Sequence, residues 1–410
     1  MTNGMKKKGE SPVSVVLVGI SGMGQPYLEA LLAGFSPEEV RLSAVVEPYP
    51  ERSAYAEELT DREIPVFDSI DQVYEGEKPD LAVICSPIQY HVSQTCYALE
   101  QGSHVLCEKP VGATIQDAEK LVTTTAASKL WVMLGYQWSY SRAIQSLKQA
   151  VMNGEFGKPI RMKTLCLWPR DEAYYKRNDW AGKIRDSQDR WILDSPANNA
   201  MAHFLHNLFY LLGNKIDGCA MPSEVTAELY RIYPIENYDT VACRSFTHDG
   251  VEVLFYASHA TSLDLGPMFS MELEQATITY DEASDDIIAR DRKGNAKHYG
   301  SPEAEHPLLK LFEAIRTIKQ PSPVLCGPEA SIAQTLCMNG MQESVSAIID
   351  FPDSQIHIDR ECGRRWAKDL LQELESCYRR DVLPSEIRLD WADCGQPVDL
   401  SNYHRFPREK

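Results

Sequence analysis

The chain has 410 residues, of which 43% are apolar, 24% charged and 9% aromatic, and a formal charge of -18. That length exceeds what one hydrophobic core usually organises, so at least two domains are expected, and the negative charge argues against a duplex nucleic-acid or anionic-membrane surface. The 11 cysteines show neither a Cys-x-x-Cys pair nor a zinc spacing, the usage of a reducing cytoplasm with no metal site.

No apolar stretch is long enough to span a bilayer. Lys6-Lys7-Lys8 followed by Val13 to Ile20 imitates a signal peptide, but the apolar run is short and ends in glycines, so no export signal is expected.

Val15 to Val18 runs into Gly19, Ser21, Gly22, Met23 and Gly24, and a helical pattern opens at Gln25. A buried strand, a tight turn and a helix N-terminus suit a pyrophosphate lying against backbone N–H groups. Ser21 stands where the Gly-x-Gly-x-x-Gly pattern has its second glycine, and an ordinary strand-turn-helix corner is the plainer reading. The pattern then predicts a helix over Pro26–Ala33, a strand Leu42–Glu47, a helix near Arg52–Leu59 and a short segment at Ile64–Phe67. Beyond them come a strand Leu81–Cys85, a helix His91–Gln101, a strand His104–Cys107, a helix Ile115–Ser128 and a strand Trp131–Gly135. Such alternation implies a parallel sheet with helices on both faces.

Glu47 closes the second strand, where a dinucleotide fold places a carboxylate on the adenosine ribose; it accepts from the 2′-OH and repels a 2′-phosphate, so NAD is favoured over NADP. Ser86-Pro87 and Glu108-Lys109-Pro110 follow two further strands and fall on the carboxyl edge, where open α/β sheets bind ligands. A lysine held there against a buried run, close to a nicotinamide cation, has its pKa lowered toward the range useful for proton transfer.

Gly19 to Gly24, Glu47, Ser86 to His91 and Ala98 to Pro110 together resemble the Gfo/Idh/MocA family of oxidoreductases, over roughly residues 13–350. The resemblance implies NAD(P)-dependent chemistry on sugars, polyols and related carbonyls, with the lysine of Glu-Lys-Pro, here Lys109, catalytic. The expected cofactor contacts are Gly19, Ser21, Gly22, Met23, Gly24, Glu47, Ser86, Pro87, His91, Glu108 and Lys109.

Gln137 and Trp138 precede a helix over Ser141–Met152 and a strand Ile160–Leu167. Residues 168–191 then form a long polar and aromatic loop carrying Trp168, Arg170, Tyr174, Tyr175 and Trp180. Aromatic faces stack on sugar rings while Arg and Tyr bond hydroxyls, so this loop reads as a substrate cover, or more plainly as a subunit contact. Asp194 precedes a predicted helix with Ser195 as N-cap and Pro196 at its first position. Asn199, His203 and His206 then share one face; as a plainer reading they are core residues. The resemblance places a catalytic histidine at His203 and an aspartate at position 199, where this chain has Asn199, so the relay is altered and Asp194 is a candidate replacement carboxylate. Gln137, Trp138, Trp168, Arg170, Tyr175, Trp180, Asp194 and His206 are the candidate substrate residues. His203 and His206 lack a third ligand, so no zinc is expected.

Residues 223–280 alternate at period two, with His248-Asp249-Gly250 as a hairpin. Helices are predicted over Glu303–Ile318 and Glu329–Ile349, and an amphipathic stretch near Arg365–Tyr378.

The expected architecture is an α/β Rossmann domain with a parallel, doubly wound sheet (1–137), an α+β domain with a largely antiparallel open-faced sheet (138–350), and an extension (351–410) that wraps a neighbour or returns to the first domain. The open face implies a homo-dimer or homo-tetramer, in the cytoplasm. The function this favours is an NAD-dependent dehydrogenase of a sugar, glycoside or polyol, the carbinol sitting between the nicotinamide and the second domain, with His203 as base and Lys109 on the same oxygen, or the reverse. The alternatives are a transient-redox enzyme that cleaves or eliminates a glycoside, and a non-catalytic NAD sensor.

Overall fold

A computed structural model describes residues 11–408; the Lys6-Lys7-Lys8 run lies outside them. The first unit comprises residues up to 112, 117–137 and 306–328. Its elements are β1 (Val13–Val18), α1 (Gly24–Ala33), β2 (Val40–Val46), α2 (Ala56–Asp61), β3 (Val66–Phe67), α3 (Ile70–Gly76), β4 (Leu81–Ile84), α4 (His91–Gln101), β5 (His104–Cys107), α5 (Ile115–Ser128) and β6 (Val132–Leu134). They form a six-stranded parallel sheet in the order β3-β2-β1-β4-β5-β6. Every residue of β1 and β4 is buried, as continuous apolar runs must be when helices cover both faces.

Register decides what the sheet presents. Val18 stands opposite Val46 and Ile84, Ile84 opposite Cys107, and Cys107 opposite Leu134. The strands therefore end level, and Gly19, Glu47, Ser86, Glu108 and Gly135 emerge along one carboxyl edge. The predicted helix near Arg52 begins later, at Ala56, because Ser53 is extended (ψ 137°) and ends a short turn over Pro50–Arg52.

The second unit comprises residues 113–116, 138–305 and 329–408 of the described chain. It contains α6 (Arg142–Met152), β7 (Pro159–Leu167), α7 (Glu172–Lys176), α8 (Ala202–Leu211), β8 (Pro222–Arg231), β9 (Thr240–Thr247), β10 (Glu252–Ser258), β11 (Leu265–Leu273), β12 (Ala276–Asp281), β13 (Ile287–Asp291) and β14 (Ala296–Gly300). After these come α9 (Leu309–Lys319), which belongs to the first unit and packs against β1 and β5, and α10 (Pro328–Ser344). The expected 138–350 domain is thus interrupted by residues 306–328. β7 to β14 supply eight of the ten strands of a mostly antiparallel sheet, in the order β14-β13-β12-β11-β7-β10-β9-β8, in which β7 and β10 run parallel. The β9–β10 hairpin turns at Gly250, whose φ of +80° and N–H bond to the Thr247 carbonyl (2.8 Å) fit the predicted turn.

The extension belongs to the second unit. It docks on the second unit itself, through β15 (Ile349–Asp350), β16 (Ile356–Ile358), β17 (Arg365–Ala367), α11 (Leu370–Arg380) and β18 (Val398–Asp399). β15 and β18 both pair with β8 and cover its outer edge, where exposed N–H and C=O groups would otherwise invite association. α11 lays Leu370, Leu374 and Cys377 among Leu165, Leu167, Leu254 and Tyr256 of the sheet. Polar anchors fix it: Lys163 Nζ meets Asp381 Oδ1 at 2.5 Å, Arg161 meets Asp381 at 3.0 Å, Arg244 pairs with Glu386, and buried Glu228 accepts from Ser385 Oγ at 2.6 Å. Over β7 and β10 the face expected to be open is thus covered by the chain's own helix, whereas further along the same face Glu272, Thr277, Thr279 and Arg290 are exposed.

Candidate active site

The turn after β1 is built for close backbone approach. Gly19 has φ +81°, and a Cβ there would lie 3.0 Å from the Cys85 backbone; at Gly24, where α1 starts, a Cβ would lie 2.0 Å from the Gly19 carbonyl oxygen. Both positions demand glycine, one for its left-handed φ and contact, the other for helix-on-strand contact. Gly22, at φ +56°, faces open space, and Ser21, Gly22 and Met23 are exposed. The turn thus tolerates Ser21 because its left-handed residues are Gly19 and Gly22. Glu47 is tied to this turn: its carboxylate accepts from the N–H of Ile20 (3.3 Å) and of Tyr49 (3.2 Å). A cradle with an open glycine, a helix N-terminus and an adjacent acidic residue fits a dinucleotide.

At the end of β5, Glu108 is buried and held by three donors. Its Oε1 accepts from Tyr27 OH at 2.6 Å and from Lys310 Nζ at 2.5 Å, and its Oε2 accepts from the Lys109 N–H at 3.1 Å. Burial pushes the Glu108 carboxyl up, but the Lys310 and Lys109 charges and these hydrogen bonds outweigh it and hold the group below its usual range. Lys310, itself buried, also donates to the Gly135 carbonyl at 2.9 Å. A Cβ at position 135 would come 2.7 Å from the Glu108 carboxylate, so Gly135 keeps that space. Lys109 is half-buried above this network.

His91 is buried between the loops after β4 and β5. Its Nδ1 lies 2.8 Å from the Pro110 carbonyl and its Nε2 2.8 Å from the Ser86 carbonyl, so the buried ring staples the loops after β4 and β5 to each other. It shapes the carboxyl edge through its neighbours and offers no ring nitrogen to a cofactor. Ser86 Oγ donates to Gln94 at 2.5 Å.

In the second unit the predicted helix is broken. Pro196–Asn198 forms one tight turn after Ser195, Asn199 leaves helical geometry (φ -137°, ψ -98°), and α8 starts at Ala202. Asn199 consequently does not share a helix face with His203. Its amide donates to Asp194 Oδ1 at 2.7 Å, while Asp194 Oδ2 accepts from the Gly182 N–H at 2.6 Å. The Asp194 carboxylate thus sits directly beside Asn199, on the loop that leads to His203. Every residue of α8 is buried except His203, which is half-buried.

His206 and Trp138 are core residues. His206 Nε2 meets Ser139 Oγ at 2.9 Å and its ring stacks on Tyr210; burial first, then the Lys148 charge, keep its pKa well below the ordinary histidine value. Trp138 packs on Phe204, Phe269 and Tyr280 and its Nε1 donates to Glu303. Gln137 starts a short turn at the close of the first unit.

The long loop is ordered by its own contacts. It contains α7, capped by Asp171, and an isolated bridge between Arg185 and Trp191. Trp168 Nε1 donates to the Gly266 carbonyl (3.2 Å), Arg170 lies over Tyr174, Tyr175 packs on Tyr233, and Arg177 lies over both Tyr174 and Trp180. Sequence reasoning missed Tyr27, Gly135 and Lys310. A lysine in register with Ala314 and Thr317 on the buried stripe of α9 was the available signal.

A level-ended parallel sheet with this glycine turn, an acidic residue closing β2 and a lysine ending β5 defines a dinucleotide-binding α/β protein. Residues 13–136 match the Gfo/Idh/MocA family, an oxidoreductase family with an NAD-binding Rossmann fold. The match covers the first unit's sheet and leaves the rest of the chain outside it.

It is 37% identical over 95 residues to a D-glucoside 3-dehydrogenase of Escherichia coli strain K12, covering 23% of this chain and 26% of that protein. It is 25% identical over 214 residues to a 2,7-anhydro-N-acetylneuraminate hydratase of Mediterraneibacter gnavus, covering 51% of each. The chain thus spans between a quarter and a half of the length of these relatives. Among solved structures, the WlbA dehydrogenase from Bordetella pertussis in complex with NADH and UDP-GlcNAcA shares the fold, with a TM-score of 0.65 at 18% identity over 82% of this chain and 98% of that one.

Proposed function

We propose that the protein is an NAD-dependent dehydrogenase of a sugar, glycoside or polyol carbinol. The observation that carries the reading is the position of Lys109: it leaves β5 on the same carboxyl edge as the glycine turn and Glu47, with its backbone fixed by the buried Glu108. The family assignment of residues 13–136 and the named activities of the relatives support the same class.

NAD, when bound, supplies the hydride acceptor. Everything else falls to the chain. Gly19 to Gly24 bind the pyrophosphate, and Glu47 accepts from the ribose hydroxyls and disfavours a 2′-phosphate. Lys109 holds the substrate hydroxyl oxygen and, as the free amine, takes its proton while the hydride leaves, a positioned base of a kind that contributes about 10² to 10⁴ in rate. Asp194 supplies, beside Asn199, the carboxylate that position 199 lacks.

A panel of polyols and glycosides offered with NAD and with NADP tests the reading. NADH formed in step with an oxidised product is expected. Released aglycone without NADH replaces it with transient redox, and no turnover on any carbinol replaces it with a sensor.

A further inference from the structure

Within the second unit, the loop that leaves β7 and the turn between β16 and β17 border an open pocket of about 390 Å³ lined by Pro169, Arg170, Asp171, Tyr174, Cys362 and Arg364. Two guanidinium groups face one space from segments almost two hundred residues apart in sequence. Among the described residues, Nε of Arg170 and Nε of Arg364 are each buried without a hydrogen-bond partner. Each Nε is closed off from solvent, so an occupant of the pocket would meet the remaining N–H groups of each guanidinium, and the group that suits two such cations best is an oxyanion.

Asp171 and Glu172 do not fill that role. Asp171 Oδ1 accepts from the Tyr174 N–H at 2.9 Å and caps α7. Glu172 lies against Gly363, where a Cβ would come 3.0 Å from its Oε2, and its carboxylate pairs with Lys176 at 2.9 Å. The volume exceeds what one oxyanion needs and falls within the range of small-molecule sites. Tyr174 is also a wall of the adjoining depression formed with Tyr175, Asp194, Ser195 and His259, so the arginine pocket borders the loop that carries Asp194 and leads to His203.

We propose that Arg170 and Arg364 recognise an oxyanion, a carboxylate or a phosphate ester, carried by the carbohydrate that this site takes; that the carbohydrate is the enzyme's substrate rests on the dehydrogenase reading above. The C-terminal extension thereby contributes a specificity residue, Arg364, to the face of the fold that it covers.

Calorimetric titration of the full chain with glucuronate, glucose 6-phosphate and methyl glucoside tests it. At least one acid is expected to bind about tenfold or more tighter than the neutral glucoside, the scale of one charge-assisted bond, and the acid that does so identifies the oxyanion. Arg170→Gln and Arg364→Gln each remove that preference. Arg364→Lys keeps the charge and stem without the fork and loses part of it, so it decides the matter should a Gln variant melt early. Equal binding of all three probes, binding of neither acid, or a preference that survives the substitutions overturns the proposal. NADH formation from neutral carbinols with no preference for acids sinks this inference and leaves the dehydrogenase reading standing; Arg-dependent acid binding in a protein that reduces no cofactor does the opposite.

Discussion

Lys310 Nζ lies 2.5 Å from Glu108 Oε1, and both side chains are buried. The pair joins α9 to the end of β5, one residue before Lys109. Removing one partner of a buried ion pair leaves an uncompensated charge and typically costs about 3–5 kcal/mol. Lys310→Met is therefore expected to lower the unfolding midpoint in denaturant strongly and to reduce turnover with it. The double variant Lys310→Met/Glu108→Gln, which also removes the stranded carboxylate, recovers part of the stability but not the turnover. A single variant as stable as the wild type would show that the pair is not buried as described.

Lys109 has a different signature. It is half-buried and stands on the pair without forming its core. Lys109→Ala is expected to cut turnover by about 10² to 10⁴, the usual contribution of a positioned acid or base, while NAD affinity and melting temperature change little. Turnover near wild type, measured at saturating substrate and NAD, would remove Lys109 from the chemistry.

On the proposed reading, Glu47 sets cofactor choice by charge. Its carboxylate holds the Ile20 and Tyr49 N–H groups at the mouth of the glycine turn. Glu47→Gln keeps an acceptor there and removes the charge that repels a 2′-phosphate. The ratio of NAD to NADP affinity, read by protein fluorescence, is expected to fall in this variant, chiefly through weaker NAD binding, a hydrogen bond to a charged group being worth about 1.5–3 kcal/mol. An unchanged ratio would take Glu47 out of ribose recognition.

How far the sequence reaches depends on whether a signal is local. The bounds of α4, β5 and α5 are readable to the residue: Gly102 ends α4 in left-handed geometry at φ +91°, and Val105 to Cys107 is a short buried run. The turn at Gly19 to Gly24 and the carboxyl-edge position of Lys109 follow from the same alternation. What fails is non-local. Ser195-Pro196 looks like a helix start, but the Asn199 amide bonds Asp194 instead of continuing the helix. A lysine such as Lys310 reads as solvated until its carboxylate partner, 202 positions away, is in place. The apolar stripe of α11 is visible near Arg365 to Tyr378, yet nothing local says that its partner is the sheet of its own unit rather than another chain.

His259 gives the second unit a pH signature. It is buried, its Nδ1 lies 2.8 Å from the Trp168 carbonyl, and its pKa is pushed down to about 3, by burial first, then by the Arg170 and Arg177 charges against the Trp168 hydrogen bond. Its folded pKa lies below the ordinary histidine value near 6.5, so between those values the unfolded chain binds a proton that the folded chain does not. The neutral ring's contribution to stability is thus fully present above about 6.5 and is lost as the pH falls toward about 3; His206, also held neutral by burial, adds a loss of the same sign. Melting temperatures of the wild type and of His259→Gln, taken across this window, are expected to converge as the pH falls, because Gln titrates nowhere in it. Parallel curves would mean that His259 takes up its proton without unfolding the loop around Trp168, and that the ring is more exposed to water than its packing indicates.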